Sequence, residues 1–197
     1  MSESPPPESG ATPGAAGMTR RNRRTLILLA LVTVAPVIAS YAAYYFWPRD
    51  KQVNYGQLLP TAPAPQVHGT RDGKPFALSD LRGKWVLVMA GDAACDAPCE
   101  KALYATRQAR TIQGREMDRV VRVWLVPAGA PSAAVTAEHP DLVVVAAPAG
   151  LAAFPAGPDR IYMLDPLGNQ VLAYPRDPDI KAMARDLGRL LRASRIG

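Results

Sequence analysis

Cys95 and Cys99 are the only cysteines in the 197 residues, separated by Asp96, Ala97 and Pro98. They follow the apolar run Trp85–Ala90 (WVLVMA) and open a segment with helical spacing. Four residues apart near a helical turn, two α-carbons stand about 6 Å apart, inside the window that a disulfide spans. A thiol in the first turn of a helix feels the positive end of the dipole, which favours the thiolate, the reactive and metal-binding form. Asp92 and Asp96 act in the opposite sense. The pair can therefore cycle between dithiol and disulfide, or chelate a soft cation such as Cu(I). A purely structural disulfide is the competing reading in an oxidising compartment. It is the weaker one. A bridge across so short a loop removes little unfolded-state entropy, and a domain of about 130 residues needs no staple.

The chain has two histidines. His68 falls in a spacer or first turn, and His139 precedes Pro140 just ahead of a later apolar run. A lone surface histidine is ordinarily a polar loop residue, so His139 is a third ligand only if copper is bound. Met89, Met117, Met163 and Met183 fall in strands or on helix faces, where core filling explains them. So few cysteines and histidines exclude multi-cysteine zinc modules and iron–sulfur clusters.

Residues 66–197 are expected to supply the elements that position this pair. Trp85–Ala90, Val120–Val126 and Leu142–Ala146 are short runs rich in β-branched residues, the pattern of strands buried on both faces. Ile161–Leu164 and Gln170–Tyr174 flank Asp165-Pro166-Leu167-Gly168-Asn169, a hairpin signal. One helix should run from near Pro98 to about Gln113, burying Cys99, Leu103, Thr106, Ala109 and Ile112. Another should start after Asp177 as N-cap with Pro178 at its first position. Ile180, Met183, Ala184, Leu187, Leu190 and Leu191 form its apolar stripe. Strand, helix, strand, hairpin and closing helix is the order of an α/β, thioredoxin-like domain: a central mixed sheet flanked by helices.

Ahead of that domain, Leu26–Trp47 holds 22 residues without a charge. A helix of that length spans a hydrocarbon core of roughly 30 Å. Pro36 is tolerable there as a kink, and Tyr41, Tyr44, Tyr45, Phe46 and Trp47 suit an interfacial belt. The apolar part of a cleaved signal peptide is usually shorter, about 7–15 residues, so residues 25–47 read as a retained transmembrane helix. Arg20, Arg21, Arg23 and Arg24 precede it and, by the positive-inside rule, hold the N-terminus in the cytoplasm. They also supply four charges against a formal net +6. No later basic block is interleaved with aromatics, so no nucleic-acid partner is expected. Residues 1–24, rich in Pro, Ser, Gly and Ala, read as a disordered cytoplasmic tail. Residues 48–65 read as a Pro-rich spacer. Only five of 23 basic residues are lysines, which with abundant alanine hints at a GC-rich bacterial genome. The expected location is a bacterial inner membrane, single-pass, with the C-terminal domain in the periplasm.

Phe76–Val88 (FALSDLRGKWVLV), the Cys95/Cys99 pair and Ile161–Gly168 (IYMLDPLG), behind a single anchor, resemble the SCO family of cytochrome c oxidase assembly proteins. The resemblance covers about residues 66–193 and implies a membrane-anchored thioredoxin fold in which both cysteines and one late histidine bind copper. Cys95 and Cys99 carry over. The histidine does not: its place, just before the hairpin strand, reads Phe154-Pro-Ala-Gly-Pro-Asp-Arg160. His139 lies some twenty residues earlier, and Glu100 replaces the proline usual after the second cysteine. The expectation is therefore a divergent SCO-like protein that assists assembly of a copper oxidase by thiol–disulfide exchange, requiring no cofactor. Cys95 is the expected attacker, Cys99 the resolver, and Pro158 the candidate cis-proline. Its partners would be the membrane and an oxidase subunit or its assembly factors. The alternatives are a Cu(I) metallochaperone using Cys95 and Cys99 with a third ligand from His139 or a partner, and a non-catalytic scaffold docking an oxidase subunit.

Overall fold

The β-branched runs form the middle of an eight-stranded mixed sheet in the computed structural model, which describes residues 20–46, 53–194 and 196. The chain divides into two compact units, residues 1–51 and 52–197. In the first, α1 spans Arg20–Phe46, and its part Asn22–Phe46 is long and apolar enough to cross a membrane. The Thr33 hydroxyl donates to the Leu29 and Ala30 carbonyls, so it needs no water at that depth. The helix takes in Arg20, Arg23 and Arg24, residues that composition had placed in the preceding tail. The rest of that tail, residues 1–19, and Trp47 to Gln52 lie outside the described residues.

The second unit carries strands β1 (Gln57–Pro63), β2 (His68–Arg71), β3 (Lys74–Ala77), β4 (Trp85–Ala90), β5 (Val120–Val126), β6 (Leu142–Ala146), β7 (Arg160–Leu164) and β8 (Asn169–Pro175). Their order is β1-β8-β7-β4-β5-β6-β2-β3. β4, β5 and β6 run parallel, and β7, β8 and β1 extend the sheet antiparallel. Side-chain alternation splits the core in two. Trp85, Leu87, Met89, Trp124, Ile161, Met163 and Tyr174 face helices α2 (Ala97–Thr111) and α4 (Ile180–Ala193). Val86, Val88, Val123, Leu125, Val145 and Tyr162 face a cover that includes Leu78, Leu151 and Phe154.

Three expectations change. The spacer is not wholly a spacer: residues 57–63 are β1, paired from Gln57↔Ala173 to Pro63↔Asn169. An edge strand tolerates Pro60 and Pro63 because half of its N–H groups need no ladder partner, and the register slips between Leu58 and Ala62. Tyr55 stacks on Tyr174, and Gly56 N–H donates to the buried Asp186, tying this segment to β8 and α4. The cap of α4 is Asp179, whose carboxylate accepts from Ala182 N–H at 3.0 Å; Asp177 instead pairs with Lys101 at 2.8 Å. α2 ends at Thr111, so Ile112 lies past the last turn and is exposed rather than buried. The β2–β3 hairpin was also unforeseen. Its signal is present in Asp72-Gly73, both at positive φ, the turn chemistry that joins two antiparallel strands in two residues.

A buried cation is an unexpected feature of the core. Arg122 in β5, 1% exposed, donates to the Leu103 carbonyl at 2.7 Å and the Thr106 hydroxyl at 3.2 Å, and pairs with Asp141 at 3.2 Å. Burial pushes the Asp141 carboxyl up, but Arg122, assisted by Arg110, holds it below the ordinary carboxylate range. Burial, then Arg122, pushes nearby His139 below the ordinary imidazole value. Both groups bind protons more readily when unfolded, so stability falls with pH in two windows. The His139 contribution is lost as pH drops below about 6.5, the Asp141 contribution below about 4. Urea titrations across pH should show both steps, with His139→Gln removing the first. Asp141→Ala should remove the second and cost about 3 kcal/mol at pH 7, because it strands a buried cation. A flat profile would show that neither group senses folding.

Candidate functional site

β4 ends at Ala90, and its continuation Gly91-Asp92-Ala93-Ala94 leads into Cys95. Cys95 N–H donates to the Asp92 carbonyl at 2.9 Å, closing a turn, and Cys95 has φ +48°. That left-handed conformation is disfavoured for a residue with a Cβ, and such strain persists only where surroundings impose it. Asp96 then caps α2, its carboxylate accepting from Cys99 N–H at 3.0 Å, with Pro98 in the first turn where no amide hydrogen is needed. The capping geometry brings the cysteine α-carbons to 5.2 Å, and the two sulfurs are joined as a disulfide. Cys95 is 5% exposed and Cys99 0%. The pair belongs to the buried cluster that holds Met89, Trp124 and Tyr174.

Arg176, just beyond β8, was missed by sequence reasoning. Its Nη2 lies 3.4 Å from Asp96 and its Nη1 3.5 Å from Asp159, so one guanidinium spans from the cysteine motif to the segment before β7. Both carboxylates are mostly exposed, so these pairs position the side chain more than they stabilise the fold. No local pattern announces this contact, since Asp96 and Arg176 are 80 residues apart.

The other candidates are elsewhere. His68 is an exposed residue at the start of β2. His139 is buried at the C-terminal end of the short helix α3 (Ala133–Glu138), beside a hollow of about 320 Å³ lined also by Glu100, Tyr104 and Glu138. Among the described residues, no three of His, Cys, Asp and Glu come together as a metal-holding group, so His139 does not complete a site with Cys95 and Cys99. The place of the expected family histidine holds Gly157 at φ +88°, then Pro158. The Pro158 peptide is trans, and no cis bond occurs among the described residues.

Known structures of the same fold place the geometry in context. Copper-bound ScoI of Bradyrhizobium japonicum is 19% identical with a TM-score of 0.52, covering 65% of this chain and 99% of that one. Copper-bound yeast Sco1 is 16% identical with a TM-score of 0.57, covering 69% and 96%. The thioredoxin domain of a thiol-disulfide oxidoreductase from Bacteroides vulgatus is 18% identical with a TM-score of 0.50, covering 68% and 99%. At these identities the likeness is one of fold, and it is the fold expected from the SCO resemblance. Comparison with curated protein sequences finds no match. The family model described as transmembrane-like, thioredoxin-like, C-terminal domain matches residues 85–194, more than half of the chain. With its thioredoxin-like sheet behind one apolar helix, the chain belongs to that transmembrane-like, thioredoxin-like family.

Proposed function

We propose that this protein is a membrane-anchored thiol–disulfide oxidoreductase that assists assembly of a respiratory copper oxidase on the exported side of a bacterial inner membrane. The observation that carries the chemistry is the Cys95–Cys99 bridge, closed across the first turn of α2 directly behind β4. The resemblance to SCO proteins supports the oxidase as client.

Exchange proceeds without a cofactor. A partner thiolate attacks Cys95 Sγ, the less buried sulfur; the Cys95–Cys99 bond breaks and Cys99 leaves as thiolate. The partner's second thiolate then attacks the mixed disulfide and releases Cys95. Two electrons have passed from the partner dithiol to the pair, and the partner is left with a disulfide. The reverse sequence reduces a partner disulfide, with Cys95 attacking and Cys99 resolving.

Copper would be cargo rather than a resident cofactor. Two thiolates are soft enough for Cu(I), yet a guanidinium stands at Asp96 within the motif, and among the described residues no third His, Cys, Asp or Glu groups with them. The deciding experiment equilibrates the full chain in detergent with glutathione buffers, then titrates the reduced protein with Cu(I) against a chelator. One two-electron transition, with Cu(I) surrendered to the chelator, is expected. Retention of one Cu(I) per chain, lost on Cys95→Ser, would put the metallochaperone first. A pair that never opens in the buffers would leave the scaffold reading.

A further inference from the structure

Buried donors on Trp124 and Arg176 have no acceptor. Trp124, on β5, is fully buried and its indole Nε1–H is unpartnered. The Nε of Arg176 is likewise buried without a partner, although its Nη atoms reach Asp96 and Asp159. Buried donors are nearly always satisfied, so an orphaned indole N–H beside a sulfur needs an explanation. At Gly91 the Trp124 indole and the Nη2 end of the Arg176 guanidinium approach the place where the Cys99 sulfur lies. A Cβ placed on Gly91 would stand 3.1 Å from Trp124 Nε1, 3.3 Å from Cys99 Sγ and 3.5 Å from Arg176 Nη2. Three atoms thus surround one point, and only a residue without a side chain leaves it open.

Sulfur in a disulfide is a weak, uncharged acceptor. Once the bond opens, the Cys99 sulfur carries negative charge, and hydrogen bonds to a charged acceptor are about twice as strong as neutral ones. We propose that Trp124 and Arg176 form a receptor for the reduced Cys99 sulfur, set to favour the dithiol over the disulfide and make this pair an electron acceptor. The inference rests on the oxidoreductase reading and gives that reaction its direction. A partner dithiol loses two electrons and becomes a disulfide, while the Cys95–Cys99 bond breaks. Cys99 keeps its electron pair beside Trp124 and Arg176, and protons from the partner's thiols go to Cys95 and to solvent. Neither residue is a nucleophile; both act by positioning charge and donors around Cys99.

The test is the dithiol/disulfide ratio of the full chain in glutathione buffers at one fixed pH. Arg176→Gln should move the equilibrium about tenfold toward disulfide, equivalent to a potential about 30 mV lower. Trp124→Phe, which keeps a ring but removes the N–H, should move it about threefold the same way. Arg176→Lys should stay nearer to wild type than Arg176→Gln does, because the charge is retained. Ratios within twofold of wild type for both Arg176→Gln and Trp124→Phe, or a shift toward dithiol, would overturn the proposal. If Trp124→Phe fails to fold, Arg176→Gln alone decides, since that side chain is partly exposed at the surface. A wild-type pair that never opens would instead defeat the oxidoreductase reading itself, and this inference with it.

Discussion

Replacing Cys99 by serine should convert the protein from a turnover catalyst into a trap, with its partner held on Cys95. In the wild type the α-carbon of Cys99 is 5.2 Å from that of Cys95, so when Cys95 attacks a partner disulfide, the reducing direction of the exchange, the mixed disulfide is resolved within the molecule. Without Cys99, resolution waits for an external thiol. Loss of a well-oriented intramolecular nucleophile should slow turnover on the order of a thousandfold or more. Cys95→Ser should form few or no adducts, because Cys99 is completely buried and Cys95 retains 5% exposure. Mixed disulfides would be read on non-reducing gels from membranes quenched with acid, and their attachment site by mass spectrometry. Equal adducts on both single variants would remove the assignment of attacker and resolver. Turnover near wild type in Cys99→Ser would remove the two-cysteine mechanism altogether.

An equally large effect, all or none, is expected for topology. Arg20, Arg21, Arg23 and Arg24 stand before the apolar stretch, whereas only Arg49 and Lys51 follow it closely. The side with more basic residues stays in the cytoplasm, which puts the cysteine domain across the membrane. A reporter active only outside the cytoplasm, joined after Gly197, should be fully active, and the same reporter at the N-terminus silent. Substituting all four arginines by glutamine should weaken or invert the pattern. The opposite activities in the unmodified chain would return Cys95 and Cys99 to a reducing compartment. A stable disulfide would then lose its physical basis.

Local periodicity made much of the fold legible. Trp85–Ala90, Val120–Val126 and Leu142–Ala146 each form a strand as expected; the first two bury both faces, whereas Leu142–Ala146 buries Val143 and Val145 and leaves its other face half-buried to exposed. The α4 stripe was readable for the same reason, although Pro178 drew its start two residues early and Asp179 makes the cap. β1 was not readable. Gln57–Pro63 has the composition of a linker, and only a partner at β8, more than a hundred residues later, makes it a strand. Asp72-Gly73 is a local hairpin signal that the sequence reading passed over.

At the site, what the sequence by itself determined was the cysteine pair and its seat on a helix terminus. Both are short-range facts: four residues, one turn, one capping aspartate. The tertiary structure decided what surrounds that pair. It carried His139 to the end of α3, set Gly157 at positive φ where a family histidine was expected, and brought Arg176 from 80 residues away against Asp96. It also turned the Trp124 indole toward the point above Gly91 that Cys99 shares. None of these placements has a period or a motif. The Trp124 and Arg176 placements follow from parallel strands β4 and β5 lying side by side with β7 and β8 beyond them, which makes neighbours of strand ends far apart in the chain.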